Sequence, residues 1–143
     1  MEPNTLLKDN LFNDKFLRIE EMKIYTGCDI IEVQRIRDAI LIPNFILKVY
    51  TDKEKKYCES KKGDMKYQHY AARFAAKEAV YKALSEILND KYQISYKNIE
   101  ITNLESGRPK VEIIGVDLKK TEIDVSLSHL QEYAMATCVV KVG

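Results

Sequence analysis

An alanine-rich stretch that also carries four charges, RFAAKEAVYK at residues 73–82, constrains the fold more than any other part of the sequence. Alanine, lysine, glutamate and arginine are strong helix formers, and neither glycine nor proline interrupts the stretch. At about 100° per residue, one side of this helix consists of small residues, namely Ala72, Ala75, Ala76, Ala79 and Ala83. The sequence therefore predicts a long helix whose small side packs closely against another element.

Glu78 and Lys82 lie one turn apart at the border between this small side and the opposite side. An acid four residues before a base forms a favourable exposed pair, worth about 0.2–0.5 kcal/mol. A solvated surface pair is therefore the simplest interpretation of these two charges. Only partners elsewhere in the chain would give them another role.

The first half of the chain shows a strand and two short helices. A strand is predicted from Met22 to about Asp29, because the segment is rich in isoleucine, tyrosine and threonine. Helical periodicity follows and ends at Pro43. Thr51, with Glu54 three residues later, has the pattern of a capping box, which predicts the start of a second short helix.

The second half changes from helical periodicity to alternation. The main helix is predicted from about residue 66 to residue 88, and a hairpin follows, with KNIEITNLE and KVEIIG on either side of a turn at SGRP. A second pair of strands, EIDVSLSH and YAMATCVVKV, surrounds a short turn near the end. The pattern predicts an α+β fold with a largely antiparallel sheet.

The composition indicates a soluble globular protein with one domain. The chain has 143 residues, of which 45% are hydrophobic, and no apolar run approaches the roughly 20 residues of a membrane span. The start of the chain does not have the pattern of a secretory signal, so we expect a cytoplasmic protein that is not membrane-bound. Cys28, Cys58 and Cys138 are widely spaced, and we expect reduced, mostly buried thiols.

Residues 1–21 are polar with scattered apolar positions. We interpret them as an N-terminal extension that either forms a short helix around Leu11–Ile19 or stays mobile. Residues 22–143 are then the domain proper.

The formal net charge of +1 conceals a basic middle third of the chain. The segment Arg35–Lys82 holds 12 Lys and Arg residues against 6 Asp and Glu residues. Such a concentration favours an anionic partner. Nucleic acid is not expected, because the chain has no recognisable nucleic-acid-binding signature.

Asp29 stands at the predicted end of an apolar strand, and two interpretations stay open. It could cap the following helix, with Glu32 completing a capping box. A carboxylate held at a strand end could equally bind a metal ion. The sequence alone does not choose between a cap and a ligand.

His129 and the turn at Gly107, Arg108 and Pro109 are further candidates for binding an anion. Backbone N–H groups and a guanidinium at a turn can hold phosphate, although most such turns are only turns. The serines of the VSLS segment before His129 do not indicate a hydrolase, because the chain has no Gly-x-Ser-x-Gly elbow. A histidine at a strand end more often forms hydrogen bonds or contacts an anion.

Four features occur in one order: GCDIIEVQRI at 27–36, RFAAKEAVYKAL at 73–84, SGRPKV at 106–111 and VSLSHLQEYA at 125–134. Together they resemble the holo-acyl-carrier-protein synthase family of phosphopantetheinyl transferases, over Lys23 to about Val140. The resemblance implies the 4′-phosphopantetheinyl transferase fold, with an antiparallel sheet, a long helix and shorter helices. It also implies a homotrimer with active sites between neighbouring subunits.

The reaction implied by this resemblance moves 4′-phosphopantetheine from coenzyme A to a serine of apo-acyl carrier protein. It depends on Mg²⁺, releases adenosine 3′,5′-bisphosphate and supports fatty acid biosynthesis. The nucleophile belongs to the partner protein, which explains why the chain itself shows no nucleophilic constellation. Either a metal-bound water or Glu78 could take the serine proton, and the sequence leaves this open.

The resemblance also implies residue roles. Asp29 and Glu78 match the family's metal ligands, and Glu78 and Lys82 its catalytic residues. The implied coenzyme A contacts are Lys82, Gly107, Arg108, Pro109 and His129. The implied carrier-protein contacts are Arg35, Phe45, Lys48 and Phe74. Arg73 and Lys77 are expected as helpers at a substrate or subunit surface.

One departure from the family concerns the segment after Leu84. The family usually has a short glycine-rich turn there, whereas SEILNDKYQIS has no glycine and is expected to extend the helix by a turn. Two other functions are compatible with the sequence: a non-catalytic module that binds coenzyme A or an acidic protein, and a phosphohydrolase that uses the same metal site.

Overall fold

The structure, a computed structural model, describes residues 21–143. The helix expected around Leu11–Ile19 lies outside the described residues. The strands are β1 (Lys23–Glu32), β2 (Ile99–Asn103), β3 (Pro109–Ile113), β4 (Thr121–His129) and β5 (Tyr133–Val142). The helices are α1 (Val33–Ile40), α2 (Phe45–Val49), α3 (Asp52–Glu59) and α4 (Met65–Leu84), and a short 3₁₀ helix spans Tyr96–Asn98. The α+β class is confirmed.

The strands form two antiparallel sheets. One has the order β1-β5-β4, and the other is the β2-β3 hairpin. Both expected hairpins are confirmed, since β2 pairs with β3 and β4 pairs with β5. In the three-stranded sheet the first strand pairs with the last, so the two ends of the domain lie side by side.

Helix α4 crosses the inner face of the three-stranded sheet and contacts all three strands. Its alanine side is buried as expected, because Ala72, Ala75, Ala76, Ala79 and Ala83 are each at most 1% exposed. The sheet supplies alternate residues to the same core, including Val125, Ala134, Ala136, Cys138 and Val140. Small residues on both elements let the helix lie close to the sheet.

Gly27 marks the closest approach of β1 to α4. A Cβ atom there would lie 2.0 Å from the carbonyl oxygen of Ala79 and 2.8 Å from the amide nitrogen of Ala83. Both atoms are backbone and cannot rotate away. Only glycine fits at this position without moving the strand.

The capping box at Thr51 is confirmed. The Thr51 hydroxyl accepts the Glu54 N–H at 3.3 Å, and Glu54 Oε1 accepts the Thr51 N–H at 2.8 Å. Glu54 also does more than the pattern predicts. It is fully buried, and its Oε2 accepts the backbone N–H of Ile101 at 2.9 Å, which joins α3 to β2.

The expected end of the first strand was wrong. Strand β1 continues three residues beyond Asp29, because its pairing with β5 runs on to Glu32, opposite Tyr133. Asp29 is therefore not a helix cap. The residue that precedes α1 is Glu32, and it makes no side-chain capping bond.

The main helix is also shorter than expected and ends at Leu84, without the extra turn. The Ser85 hydroxyl donates to the carbonyl oxygen of Lys82 at 2.7 Å, as serine does when it competes with helical bonding. Further along, the Tyr81 hydroxyl donates to the carbonyl oxygen of Lys91 at 2.7 Å. This bond holds the following segment back against the helix.

Candidate active site

Asp29 lies on the face of β1 that faces α4, two residues after Gly27. Its side chain is 18% exposed, so it lies at the edge of the packed layer, where solvent still reaches it. The close packing at Gly27 brings this part of the strand against the last turns of α4. Residues far apart in the sequence therefore become neighbours.

Lys82 is paired with Asp29 and not with Glu78. Its Nζ lies 3.2 Å from Asp29 Oδ1 and donates to the carbonyl oxygen of Cys28 at 3.0 Å. The solvated pair of Glu78 with Lys82, the simplest interpretation of these charges taken alone, is therefore not formed. An ammonium group has three donors, so with its two partners among residues 21–143 Lys82 has one N–H left for a further acceptor.

Glu78 instead accepts a hydrogen bond on Oε1 from the hydroxyl of Tyr96. Burial and this bond raise the pKa of Tyr96 above its usual range, and the charges of Glu78 and Asp29 add to the shift. Glu78 and Lys82 lie one turn apart on α4, and Lys82 is paired with Asp29, so the two carboxylates lie at the same place in the fold. We call Asp29, Glu78, Lys82 and Tyr96 the carboxylate cluster.

The carboxylate cluster contains two carboxylates that could hold a divalent cation. Within residues 21–143, neither Asp29 Oδ2 nor Glu78 Oε2 takes part in a hydrogen bond or ion pair. The same residues hold no group of three or more His, Cys, Asp or Glu side chains able to enclose a metal ion. Mg²⁺ suits such a site, because it usually takes one or two carboxylates together with phosphate oxygens and water.

Lys77 is buried and does not lie at a surface as expected. Its Nζ contacts Glu54 Oε1 at 2.7 Å and donates to the carbonyl oxygens of Tyr96 and Ile99 at 2.8 and 2.5 Å. Burial lowers the pKa of Lys77, and the Glu54 carboxylate opposes that shift. The buried pair thus fixes the backbone that carries Tyr96.

A cavity of about 420 Å³ opens beside Glu78. It is bounded by α4, by Lys48 of α2 and by the segment between α4 and β2. Its lining residues are Lys48, Glu78, Tyr81, Lys91, Tyr92, Ile94, Ser95 and Tyr96. The glycine-free segment therefore forms a wall of the cavity and does not lengthen the helix.

Arg73 is 2% exposed, so the expectation that it lies at a surface was wrong. Its guanidinium lies 4.0 Å from the centre of the Tyr57 ring and donates to Asn103 Oδ1 at 2.7 Å. Its Nε is buried without a hydrogen-bond partner among the described residues. Arg73, Tyr57 and Asn103 line a cavity of about 350 Å³, together with Lys53.

The turn at 106–109 is tied to this arginine, because Asn103 Nδ2 donates to the carbonyl oxygen of Gly107 at 2.9 Å. Gly107 has a φ of +88°, a conformation that favours glycine. Arg108, by contrast, is paired with Asp124 of β4. The backbone of the turn and Arg73 are thus brought together, while the Arg108 side chain turns toward the sheet.

His129 is linked to the same region by two edge-to-face ring contacts. Its ring lies 4.9 Å from that of His69, which lies 5.4 Å from that of Tyr57. Burial, His129, Arg73 and Lys61 together lower the pKa of His69 to about 4. The pKa of His129 is also lowered, by burial and then by Arg73. We call Tyr57, His69, Arg73, Asn103 and His129 the arginine cluster.

The carboxylate cluster and His129 lie far apart in a single chain. His129 Nδ1 is 2.8 Å from Oε1 of Gln68, near the start of α4. Gln68 precedes Glu78 by ten residues, which corresponds to about 15 Å along a helix axis. The structure therefore brings Asp29, Glu78 and Lys82 together, and separately brings His129 and the 106–109 turn toward Arg73.

The family model described as the 4′-phosphopantetheinyl transferase superfamily matches residues 25–138. This chain belongs to that superfamily. It is 43% identical over 130 residues to the holo-[acyl-carrier-protein] synthase of Ruminiclostridium cellulolyticum, covering 85% of this chain and 95% of that protein. It is 41% identical over 126 residues to the protein of the same name from Dehalococcoides mccartyi, covering 82% of this chain and 98% of that one.

Solved structures of the superfamily have the same fold. A holo-(acyl-carrier-protein) synthase from Bacillus anthracis, in complex with CoA (3′,5′-ADP), superposes with a TM-score of 0.71 at 30% identity. The superposition covers 85% of this chain and 99% of that one. The Helicobacter pylori synthase in complex with coenzyme A gives a TM-score of 0.67 at 26% identity, over 80% of this chain and 98% of that one. The phosphopantetheinyl transferase fold is thereby confirmed.

Three of the four residues expected to contact a carrier protein lie beside the carboxylate cluster. The Phe74 ring is 6.3 Å from that of Phe45 and 5.6 Å from that of Tyr96, and Lys48 lines the cavity next to Glu78. Arg35 is exposed on α1. That these four residues contact a carrier protein stays a prediction.

The sequence interpretation missed Tyr96 and the buried pair of Lys77 with Glu54. Tyr96 gave no signal, because nothing local marks a tyrosine that meets a glutamate 18 positions away. Glu54 was noticed only as part of a capping box. The one available signal for Lys77 was its place on α4 directly before Glu78.

Proposed function

We propose that this protein transfers 4′-phosphopantetheine from coenzyme A to a serine of an apo-acyl carrier protein and releases adenosine 3′,5′-bisphosphate. The observation that carries the proposal is the meeting of Asp29, Glu78 and Lys82 where β1 packs on α4. The two carboxylates could bind a metal ion, and the ammonium and that metal ion together could bind a diphosphate. The names of the relatives, which are holo-[acyl-carrier-protein] synthases, support the same activity.

Asp29 and Glu78 are the proposed ligands of Mg²⁺. Each has one oxygen held by a donor of the chain, Lys82 for Asp29 and Tyr96 for Glu78, which leaves the second oxygen for a cation. When bound, the metal would neutralise charge on the diphosphate of coenzyme A. The residues of the chain orient that diphosphate and the incoming serine.

Lys82 and Glu78 are the proposed catalytic residues. Lys82 is half exposed and keeps one N–H for a phosphate oxygen, where its charge would stabilise the leaving group. Glu78 and Lys48 both line the cavity, through which a carrier serine would approach. Much of the rate then comes from positioning two substrates rather than from a nucleophile of the enzyme.

The arginine cluster is proposed to bind the 3′-phosphate of coenzyme A, together with the turn at Gly107, Arg108 and Pro109. Arg73 lines a cavity, and its buried Nε has no hydrogen-bond partner among the described residues. His129 belongs to the same cluster. A guanidinium of this kind suits a phosphate group. The Bacillus anthracis synthase, which shares this fold, was solved in complex with CoA (3′,5′-ADP).

We further propose that one active site combines two subunits of a homotrimer. In coenzyme A the 3′-phosphate and the diphosphate are attached to a single ribose, so their binding groups must lie close together. Within one chain His129 contacts Gln68, which lies about 15 Å from Glu78 along the axis of α4. A neighbouring subunit that places its arginine cluster against the carboxylate cluster would close this gap.

The outer face of the three-stranded sheet supports such an assembly. It exposes apolar side chains that neighbour one another across β1 and β5, including Ile24, Ile30, Met135 and Val139. Ile30 is 66% exposed and is paired with Met135, which is 43% exposed. Adjacent exposed apolar residues of this kind favour burial between subunits.

The proposed docking surface for the carrier protein is formed by Arg35, Phe45, Lys48 and Phe74. Acyl carrier proteins are acidic, and the segment Arg35–Lys82 has twice as many basic as acidic residues. The half-buried rings of Phe45 and Phe74 would provide apolar contact, and the basic residues would steer the approach. This surface borders the cavity at Glu78.

We propose fatty acid biosynthesis in the cytoplasm as the setting of this activity, with residues 22–143 as the transferase domain. The part of the chain matched by the family model lies within that domain. No helix within residues 21–143 is both long enough and apolar enough to cross a membrane. The role of residues 1–21 as an extension is part of the same proposal.

The test is a transfer assay read by mass spectrometry. The full chain is mixed with apo-acyl carrier protein, coenzyme A and Mg²⁺, and the carrier is expected to gain one phosphopantetheine group. A carrier that stays unmodified here, while a known transferase modifies it, would refute the proposal. Consumption of coenzyme A without a carrier would indicate a phosphohydrolase instead.

A further inference from the structure

We propose that Tyr96 is a positioning residue for Glu78, whose hydroxyl sets the orientation of the carboxylate that receives the cation. The proposal rests on the proposed function, because it deepens the role of the same site. Its basis is the hydrogen bond from the Tyr96 hydroxyl to Glu78 Oε1. The tyrosine comes from the 3₁₀ helix before β2, outside the elements that carry Asp29 and Glu78.

The two carboxylates have matching arrangements. Lys82 holds Oδ1 of Asp29, and Tyr96 holds Oε1 of Glu78. A glutamate side chain on a helix has several rotamers, and a fixed hydrogen bond to one oxygen restricts them. The second oxygen of each carboxylate has no partner within residues 21–143 and is left for a cation, which would offset the mutual repulsion of the two groups.

The Tyr96 hydroxyl is the donor of this bond, because an ionised carboxylate can only accept hydrogen bonds. A neutral donor restrains the carboxylate without cancelling the negative charge that attracts the metal ion.

Tyr96 is itself held on both sides. Its carbonyl oxygen accepts a hydrogen bond from the buried Lys77, which the Glu54 carboxylate fixes in turn. Its ring packs on Phe74 at 5.6 Å between ring centres. The contacts run from the buried ion pair through Tyr96 to Glu78, so the backbone and the ring of Tyr96 are both restrained although the residue is 37% exposed.

The test replaces Tyr96 by phenylalanine, which keeps the ring and the backbone bond to Lys77 and removes only the hydroxyl. Mn²⁺ binding to the full chain is measured by electron paramagnetic resonance, without substrates. We expect Tyr96→Phe to bind Mn²⁺ about 10-fold more weakly than the wild type, the size of effect typical of groups that orient metal ligands. The matched control is Tyr92→Phe, on the wall of the same cavity with no hydrogen bond to Glu78, which should leave the affinity unchanged.

The transfer assay supplies a second readout. The Mg²⁺ concentration for half-maximal activity should rise by about the same factor in Tyr96→Phe, while the rate at saturating Mg²⁺ stays within about twofold of wild type. An unchanged Mn²⁺ affinity, or an equal loss in Tyr92→Phe, would overturn the proposal. So would an equal loss of rate at every Mg²⁺ concentration, since that indicates a purely structural role.

Transfer and Mn²⁺ binding measured on the wild type distinguish a failure of this proposal from a failure of the proposed function. A wild-type chain that transfers normally, with Tyr96→Phe unaltered in metal dependence, overturns only the role of Tyr96. A wild-type chain that binds Mn²⁺ but modifies no carrier refutes the transferase, while the weaker Mn²⁺ binding of Tyr96→Phe would still support the positioning role. A wild-type chain that binds no Mn²⁺ overturns both the positioning role and the metal site.

Discussion

Replacing Gly27 by alanine should damage both the stability and the active site, because this glycine lets β1 approach α4. The new Cβ atom would lie 2.0 Å from the carbonyl oxygen of Ala79, whereas ordinary contacts of this type are about 3.3 Å or longer. Strand and helix must therefore separate by more than about 1 Å. The atoms that resist are backbone atoms of two packed elements, so the strain has no flexible side chain to absorb it.

The expected loss of stability lies toward the upper end of the range for overpacked cores, about 2–3 kcal/mol. It is measured as the free energy of unfolding in urea. Asp29 lies two residues further along the same face of β1, so it moves with the strand away from Glu78. A displacement of about 1 Å at a reacting centre can lower the rate about 100-fold, and the transfer assay measures this at a temperature where the variant is folded.

Lys23→Ala is the control, since Lys23 is exposed at the start of the same strand and its side chain has no hydrogen bond or ion pair within residues 21–143. Its unfolding free energy should change by no more than about 0.5 kcal/mol. A Gly27→Ala variant that matches this control in stability and the wild type in transfer rate would refute the reasoning. It would show that the contact between β1 and α4 is loose enough to accept a methyl group.

Three further predictions concern charged groups. Lys77→Met leaves the Glu54 carboxylate buried without its cation, so we expect a loss of about 3–5 kcal/mol in urea unfolding, and a loss below about 1 kcal/mol would contradict the buried pair. His69 has a pKa lowered from 6.5 to about 4, so the unfolded state binds more protons and the stability should fall as the pH drops from 6.5 toward 4. His69→Gln should reduce this slope in thermal denaturation at a series of pH values, and an identical slope would exclude the histidine as its source. Asp29→Asn and Glu78→Gln should each lower Mg²⁺-dependent transfer by at least about 100-fold with an unchanged circular dichroism spectrum, and full activity in either would remove that residue from the metal site.

The parts of the fold that could be predicted from the sequence depend on local patterns. Alternation identified both hairpins, and the alanine positions identified the buried side of α4. The capping box at Thr51 was also readable, because it involves residues three positions apart. The end of β1 was placed too early, since its last residues are held by pairing with β5 and not by their own propensity.

The candidate site was predictable only in part. Asp29, Glu78 and Lys82 were selected through the family resemblance, and the structure brings them together. The spacing of residues along a helix shows which of them share a side, but it does not show that a second element packs on the side opposite the alanines. The burial of Arg73 and Lys77 was missed for this reason. Part of what covers that side, Asn103 and the backbone of Tyr96, comes from a segment about 20 to 30 residues later in the chain, and Glu54 comes from an earlier helix.

The proposed pairing of the carboxylate cluster of one subunit with the arginine cluster of its neighbour is tested most directly by complementation. Two inactive variants, Asp29→Asn and His129→Ala, are mixed under conditions that allow subunits to exchange. Random assembly unites an intact carboxylate cluster with an intact arginine cluster at about one interface in four of a cyclic trimer. We therefore expect the mixture to recover about a quarter of the wild-type transfer rate. A mixture no more active than the separate variants, with exchange verified by differently tagged subunits, would contradict a site shared between subunits.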